Sequence, residues 1–237
     1  MIDILAFGAH PDDVELAAGG TLCRHTAAGN KVVIADLTRG ELGTRGDASS
    51  RETEANKAAQ ILGVQQRVNL GLADGFFEAD ENSLKRLVEV IREFRPQVVL
   101  GNAVYDRHPD HGRAAGLISR ACFLSGLRKI RTHANGTEQE AWRPASVYHF
   151  IQDRFIKPDL VVDISETFTQ KMQSIMAFQS QFYNPESQEP ETPISSKEFL
   201  QYIESRAREM GRLIGVEFGE GFTTERPVGV GNLMILS

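Results

Sequence analysis

Four times in the first 127 residues, a short apolar run is followed by a helical pattern. This alternation constrains the fold more than any other feature of the chain. The apolar runs read as strands over Ile2–Phe7, Lys31–Leu37, Arg67–Leu70 and Gln97–Leu100. Helices are expected over 13–28, 51–62, 84–94 and 112–127. In the third of these, Leu84, Leu87, Val88, Ile91 and Phe94 fall on one helical face. Gly29, Gly63 and Pro96 supply the stops. A repeating strand–helix order closes as a parallel sheet with right-handed crossovers and helices on both faces. The expected fold class is therefore α/β: a Rossmann-like, mostly parallel sheet in a single domain spanning residues 1–237. Such a sheet gathers the C-terminal ends of its strands along one edge, which is where α/β proteins bind ligands.

Beyond Arg128 the pattern loosens. Tyr148–Ile151 and Leu160–Ile164 read as further strands, and Ser165 as the N-cap of a helix reaching about Phe182. Within residues 128–146, the basic segment Arg128-Lys129-Ile130-Arg131-Thr132 reads as a solvated loop. Tyr183 to Pro193 is rich in Pro, Glu, Asn and Gln. It reads as a mobile loop, either an ordinary surface connection or a lid. Lys197–Ile214 closes the reading as a helix.

Two strand ends carry related runs. Gly8-Ala9-His10-Pro11-Asp12-Asp13 follows the first strand, and Asp106-Arg107-His108-Pro109-Asp110-His111 follows the fourth. An isolated His-Pro-Asp is readily explained as a helix cap, with Asp favouring the helix dipole. Two such runs at equivalent strand ends point instead to the halves of one metal site. A dinucleotide fold has glycines at the first of these turns to cradle a pyrophosphate. Here two carboxylates occupy that place and would repel a phosphate, so a cation is the natural occupant. His10, Asp13 and His111 offer two imidazoles and one carboxylate. That set suits zinc in an open, catalytic geometry, while magnesium prefers more oxygen ligands. Iron(II) accepts the same donors.

A net charge of −6 argues against general nucleic-acid binding. No apolar stretch is long enough for a bilayer span, and no basic, apolar leader precedes the first strand, so neither membrane insertion nor a signal peptide is expected. Cys23 and Cys122 are the only cysteines and read as buried thiols. The absence of a disulfide framework suits a cytoplasmic protein.

The paired motifs His-Pro-Asp-Asp and His-Pro-Asp-His resemble those of the LmbE / PIG-L family, zinc-dependent deacetylases acting on N-acetylglucosamine derivatives. The likeness extends over most of the chain. It includes Thr38-Arg39-Gly40-Glu41, Leu70-Gly71-Leu72-Ala73-Asp74-Gly75, Asp106-Arg107, Phe178-Gln179-Ser180-Gln181-Phe182 and Gly219-Glu220-Gly221-Phe222. This set is similar to the bacillithiol-biosynthesis branch, whose substrate is N-acetyl-α-D-glucosaminyl L-malate. The resemblance implies one zinc per subunit on His10, Asp13 and His111, and Asp12 as general base. It also implies His108 as stabiliser of the oxyanion, charged and oriented by Asp110. Either Asp12 or His108 could protonate the leaving amine. The malyl carboxylates call for guanidinium forks. Arg51 and Arg107 are the first candidates, followed by Arg39 and, more weakly, Arg45. Glu41 and Asp74 could accept hydrogen bonds from sugar hydroxyls. His25, His133 and His149 read as packed or surface residues, and Trp142 and Tyr202 as core or rim packing, with substrate contact the alternative. The expected partners are a small N-acetylglucosaminyl substrate and, by the family's habit, other copies of the chain in a hexamer. A broader N-acetylglucosamine, chito-oligosaccharide or other thiol-conjugate deacetylase is the alternative. A metal-binding protein without turnover comes third.

Overall fold

A computed structural model describes residues 1–232. Its main sheet has seven strands: β1 (Ile4–Gly8), β2 (Val32–Asp36), β3 (Gln66–Asn69), β4 (Val98–Gly101), β7 (Ser146–Phe150), β8 (Leu160–Asp163) and β9 (Gly219–Thr224). They lie in the order β3-β2-β1-β4-β7-β9-β8. β3, β2, β1, β4 and β7 are mutually parallel, and β9 runs antiparallel to both β7 and β8. The helices are α1 (Asp13–Ala27), α2 (Ala48–Leu62), α3 (Glu81–Phe94), α4 (Pro109–Ser125), α5 (Phe168–Met176) and α6 (Lys197–Ile214). The α/β class and the parallel sheet are as expected from the sequence. No helix of the described residues is long and apolar enough to cross a membrane.

Side-chain alternation along β1 explains the two-sided core. Leu5 and Phe7 point to one face, where they join Leu87, Val88, Ile91, Leu117 and Ile118 of α3 and α4. Ile4 and Ala6 point to the other, against Val14, Ala18 and Leu22 of α1. A strand covered on both faces must be apolar throughout, which is why the β1 and β2 segments contain no alternating polar residues. Truncating a fully buried side chain such as Leu87 would cost about 2–5 kcal/mol. Local signals set the helix ends. Asp80 accepts the Ser83 N–H to start α3, and Gly63 closes α2 in the left-handed conformation at φ 70°.

Four boundaries differ from expectation. Gly219–Thr224 forms β9, a strand that contains two glycines and a glutamate and so has low intrinsic strand propensity. It is stabilised by pairing on both sides, between β7 and β8. Residues 128–146 include a short hairpin, β5 (His133–Ala134) with β6 (Thr137–Glu138). α4 begins at Pro109 rather than about residue 112, because proline is pre-shaped for the first helical position. α5 starts after Thr167 and ends at Met176; the following Phe178 and Phe182 pack into the core between α2 and α5 from irregular backbone.

Candidate active site

Sheet order explains why the two His-Pro-Asp runs meet. β1 and β4 are neighbours, yet the chain leaves β1 towards β2 on one side, while β4 continues towards β7 on the other. A crevice opens where crossovers diverge in this way, beyond the carboxyl ends of the two strands. The first run follows β1 and the second follows β4, so both line that crevice.

In the first run, Asp12 occupies the residue before α1, with φ 123° and ψ −25°. That backbone conformation is unfavourable for any residue with a Cβ and costs on the order of 1–3 kcal/mol. The Asp12 side chain makes no capping hydrogen bond. Its Oδ2 instead accepts from Arg51 Nη2 at 2.9 Å, in a pair buried on both sides. Burial, opposed by the Arg51 guanidinium, raises the Asp12 pKa to about 7. Asp13, the first residue of α1, is held by two amides: Gln152 Nε2 donates to Oδ1 at 2.8 Å and Asn102 Nδ2 to Oδ2 at 2.9 Å. The His10 N–H also donates to Asp13 Oδ2, at 2.9 Å.

In the second run, His108 is the N-cap of α4, and its Nδ1 accepts the Asp110 N–H at 3.3 Å. The Asp110 carboxylate does not serve the His108 ring as expected. Gly75 N–H and Arg113 Nη1 donate to it at 2.9 and 2.8 Å, and His10 Nε2 lies 3.3 Å away. Burial, with His10 and His111 alongside, lowers the His108 pKa, and its Nδ1 serves as an acceptor. His111 lies one turn further on, with Nε2 3.1 Å from Asp13 Oδ1 and Nδ1 2.9 Å from Asp106 Oδ2.

Asp13 contacts both nominated histidines through different oxygens, Oδ2 lying 3.7 Å from His10 Nδ1 and Oδ1 3.1 Å from His111 Nε2, and it belongs to neither of the following sets. Among the described residues, two overlapping sets have ligand atoms within 4.8 Å of one another: His10, His108 and His111, and His10, Asp74 and Asp110. Burial opposes a charge on His10, but Asp110, Asp13 and Asp74 outweigh it and hold its pKa well above the usual imidazole value. A cluster of carboxylates this acidic and this buried calls for a cation. The groups behind these side chains also fit a divalent ion: Asp106 hydrogen-bonds His111, while Asn102 and Gln152 hydrogen-bond Asp13, contacts of the kind that hold metal ligands in orientation.

The candidate substrate residues divide. A cavity of about 310 Å³ opens over the cluster and is lined by Asp74, Arg51 and Arg107, among others. Arg39 and Glu41 do not line it. Arg39 faces a separate depression beside Asp36 and Arg67. Glu41 braces its own loop, accepting from the Asp74 N–H at 3.0 Å and the Arg39 N–H at 3.1 Å. Asp74 is turned inward, with Oδ1 3.0 Å from His10 Nε2 and Oδ2 accepting the Leu42 N–H. Arg51 faces Asp12 and also donates to the carbonyls of Pro11 and Gly40, so its donors are directed at the protein. Arg107 Nε reaches Asp153 Oδ2 at 3.3 Å. Arg45 is tied to Ser187 and Glu189.

That last contact places the 183–193 segment. Glu189 Oε1 accepts the Gly46 N–H at 2.9 Å, and Thr192, Pro193 and Ile194 line the cavity. Gln152, Gln181, Tyr202 and Arg206 also line it. Gln181 falls in the run Phe178–Phe182 and Tyr202 reads as core or rim, whereas Gln152, from β7's exit, and Arg206, from α6, are marked by no short motif.

Comparison with known proteins gives a consistent picture. Residues 5–122 match the family model PIG-L, described as GlcNAc-PI de-N-acetylase. The chain is 29% identical over 232 residues to the diacetylchitobiose deacetylase of Thermococcus kodakarensis, covering 92% of this chain and 81% of that protein. It is 32% identical to a 1D-myo-inositol 2-acetamido-2-deoxy-alpha-D-glucopyranoside deacetylase of Thermobispora bispora, covering 65% of this chain and 60% of the relative. The chain thus spans less than two thirds of that longer protein. In the crystal structure of the conserved protein TT1542 from Thermus thermophilus the same fold recurs, with TM-score 0.86 and 34% identity over 98% of this chain and 99% of that one.

Proposed function

Because the chain belongs to the PIG-L (LmbE) family, we propose that it is a metal-dependent hydrolase that removes the N-acetyl group of an N-acetylglucosaminyl conjugate. The specific substrate proposed is N-acetyl-α-D-glucosaminyl L-malate, with zinc as the metal. One observation carries this reading: two runs about a hundred residues apart deliver His10, Asp13 and His111 to a single crevice, with Asp12 beside them and unused as a cap.

His10, Asp13 and His111 would hold the metal. When bound, zinc supplies Lewis acidity, polarising the acetamide carbonyl and acidifying water. Asp12 acts as the base. Its Oδ2 is held by Arg51, which leaves Oδ1 to take a proton from the attacking water and return it to the departing glucosamine nitrogen. His108 presents an Nε2–H to the developing oxyanion as a neutral donor, fixed by the backbone bond to its Nδ1. Asp110 and Asp74 act on His10, holding its ring from the side away from Asp13. Acetate and a free glucosamine amine are the products.

A second reading keeps the chemistry and changes the substrate. The likeness to a diacetylchitobiose deacetylase, which extends over nearly the whole chain, favours an N-acetylglucosamine or chito-oligosaccharide substrate. The test is amine release by zinc-loaded protein from N-acetylglucosaminyl malate, diacetylchitobiose and free N-acetylglucosamine. Preference for the malate conjugate supports the first reading. Preference for the chitobiose supports the second, and release from none overturns both. The proposed homo-oligomer is checked by light scattering on the same sample, and the proposed cytoplasmic location by cell fractionation.

A further inference from the structure

Three arginines line the cavity, and they differ in what they already hold. Arg51 is paired with Asp12, and Arg107 with Asp153. Arg206, on α6, has no carboxylate within 4.0 Å among the described residues. Its one hydrogen bond there runs from Nη2 to the Leu16 carbonyl at 3.2 Å. We propose that Arg206 is the specificity residue for the substrate's aglycone, where it binds an anionic group, specifically a carboxylate. This rests on the deacetylase reading above and names the part of the substrate that this site selects.

Three features of the surroundings support the assignment. A guanidinium carries five N–H donors, and taking it partly out of water without an acceptor is unfavourable. One buried acid whose charge reaches Arg206 is already neutralised: Glu220 accepts from Lys171 Nζ at 2.5 Å and from the N–H groups of Gly20 and Thr21 in α1. The Arg206 guanidinium also lies 5.6 Å from the Tyr202 ring centroid, where the ring face restrains its plane. The Tyr202 hydroxyl donates in turn to the Asp153 carbonyl, and Asp153 holds Arg107. Arg107, Asp153, Tyr202 and Arg206 are thus linked by contacts to one another. The same cavity is also lined by Asp12, Asp13 and Asp74, which repel anions. A substrate that has an N-acetyl group at one end and a carboxylate at the other matches these two groups of charges. The acetamide faces the acids, where a metal neutralises them, and the carboxylate faces Arg206. A forked carboxylate–guanidinium contact has the geometry to hold it there.

The test compares wild type, R206Q and R206K as the full zinc-loaded chain, on N-acetylglucosaminyl malate and on diacetylchitobiose. The expected result is that R206Q raises KM for the malate conjugate and lowers the selectivity ratio, malate conjugate over chitobiose, by about ten- to a hundredfold, with partial recovery in R206K. Equal losses on both substrates, or an unchanged ratio, would overturn the assignment. Calorimetric titration with L-malate alone reads the residue without turnover. Weaker binding to R206Q than to wild type supports the site, and equal or absent binding to both overturns it. If neither substrate is hydrolysed by wild type while malate binding still depends on Arg206, the deacetylase reading fails and the anion site stands.

Discussion

The same tripeptide, His-Pro-Asp, occurs at residues 10–12 and 108–110, and the two copies do opposite work. At the second, the helix starts at Pro109. His108 is its cap, in extended conformation at φ −79° and ψ 127°, and Asp110 lies in the first turn. At the first, the helix starts three residues after the histidine, at Asp13, two positions later than at the second. Asp12 is therefore left outside the helix at φ 123°, with its carboxylate free of capping and turned to a buried arginine. Each aspartate has an arginine partner, but Arg51 is buried, while Arg113 is about a third exposed. A shift in helix register turns an ordinary helix start into a strained, desolvated carboxylate. Strain of this kind persists where surrounding contacts hold it in place, commonly at functional sites.

The comparison can be broken in several ways. His10→Ala and His111→Ala should each release the metal and reduce turnover to background. Metal analysis alongside amine release checks this, and full zinc occupancy with full activity would remove the ligand assignment. Asp12→Asn should retain zinc and lose turnover by about a hundred- to ten-thousandfold, the range for a general base. Zinc loss in that variant would make Asp12 a ligand instead. Removing the arginines separates the two runs by stability. Arg51→Met strands a buried carboxylate and should cost about 3–5 kcal/mol in urea unfolding. Arg113→Met removes a partly exposed arginine and leaves Asp110 held by the Gly75 N–H and His10, and should cost about 1 kcal/mol or less. Equal costs would mean that the two aspartates are in equivalent environments. Unrelated to either run, Ser196→Ala removes the side chain that accepts the Phe199 N–H at the start of α6 and should cost about 1 kcal/mol. If it also altered turnover, α6 would be coupled to the cavity more tightly than its packing indicates.

Much of the fold was legible because it rests on local periodicity. The run Val32-Val33-Ile34-Ala35 and the stripe Leu84, Leu87, Val88, Ile91 are patterns that only a two-face-buried strand and an amphipathic helix satisfy. β9 was not legible, since Gly219-Glu220-Gly221 has no strand preference of its own and owes its conformation to partners on both sides. The site divides in the same way. His10, Asp12, Asp13, Asp74, His108, Asp110 and His111 lie at predicted strand ends, so the parallel sheet was enough to bring them to one edge. Gln152 and Arg206 come from parts of the chain whose placement depends on the antiparallel half of the sheet and on how α6 packs.

The sequence by itself determined the parallel sheet, the edge at which chemistry would gather and the donor types at that edge, because each follows from short-range pattern and from the charge a residue carries. Only the tertiary structure decided which partner each group took. Asp110 faces His10 rather than the His108 ring, Arg51 serves Asp12, Arg39 lies outside the cavity, and Arg206 lines it with no carboxylate of the described residues within 4.0 Å. The reason is physical. A side chain's type is a property of one residue, whereas its protonation, pairing and direction depend on what burial leaves within about 4 Å, where desolvation strengthens every charge interaction.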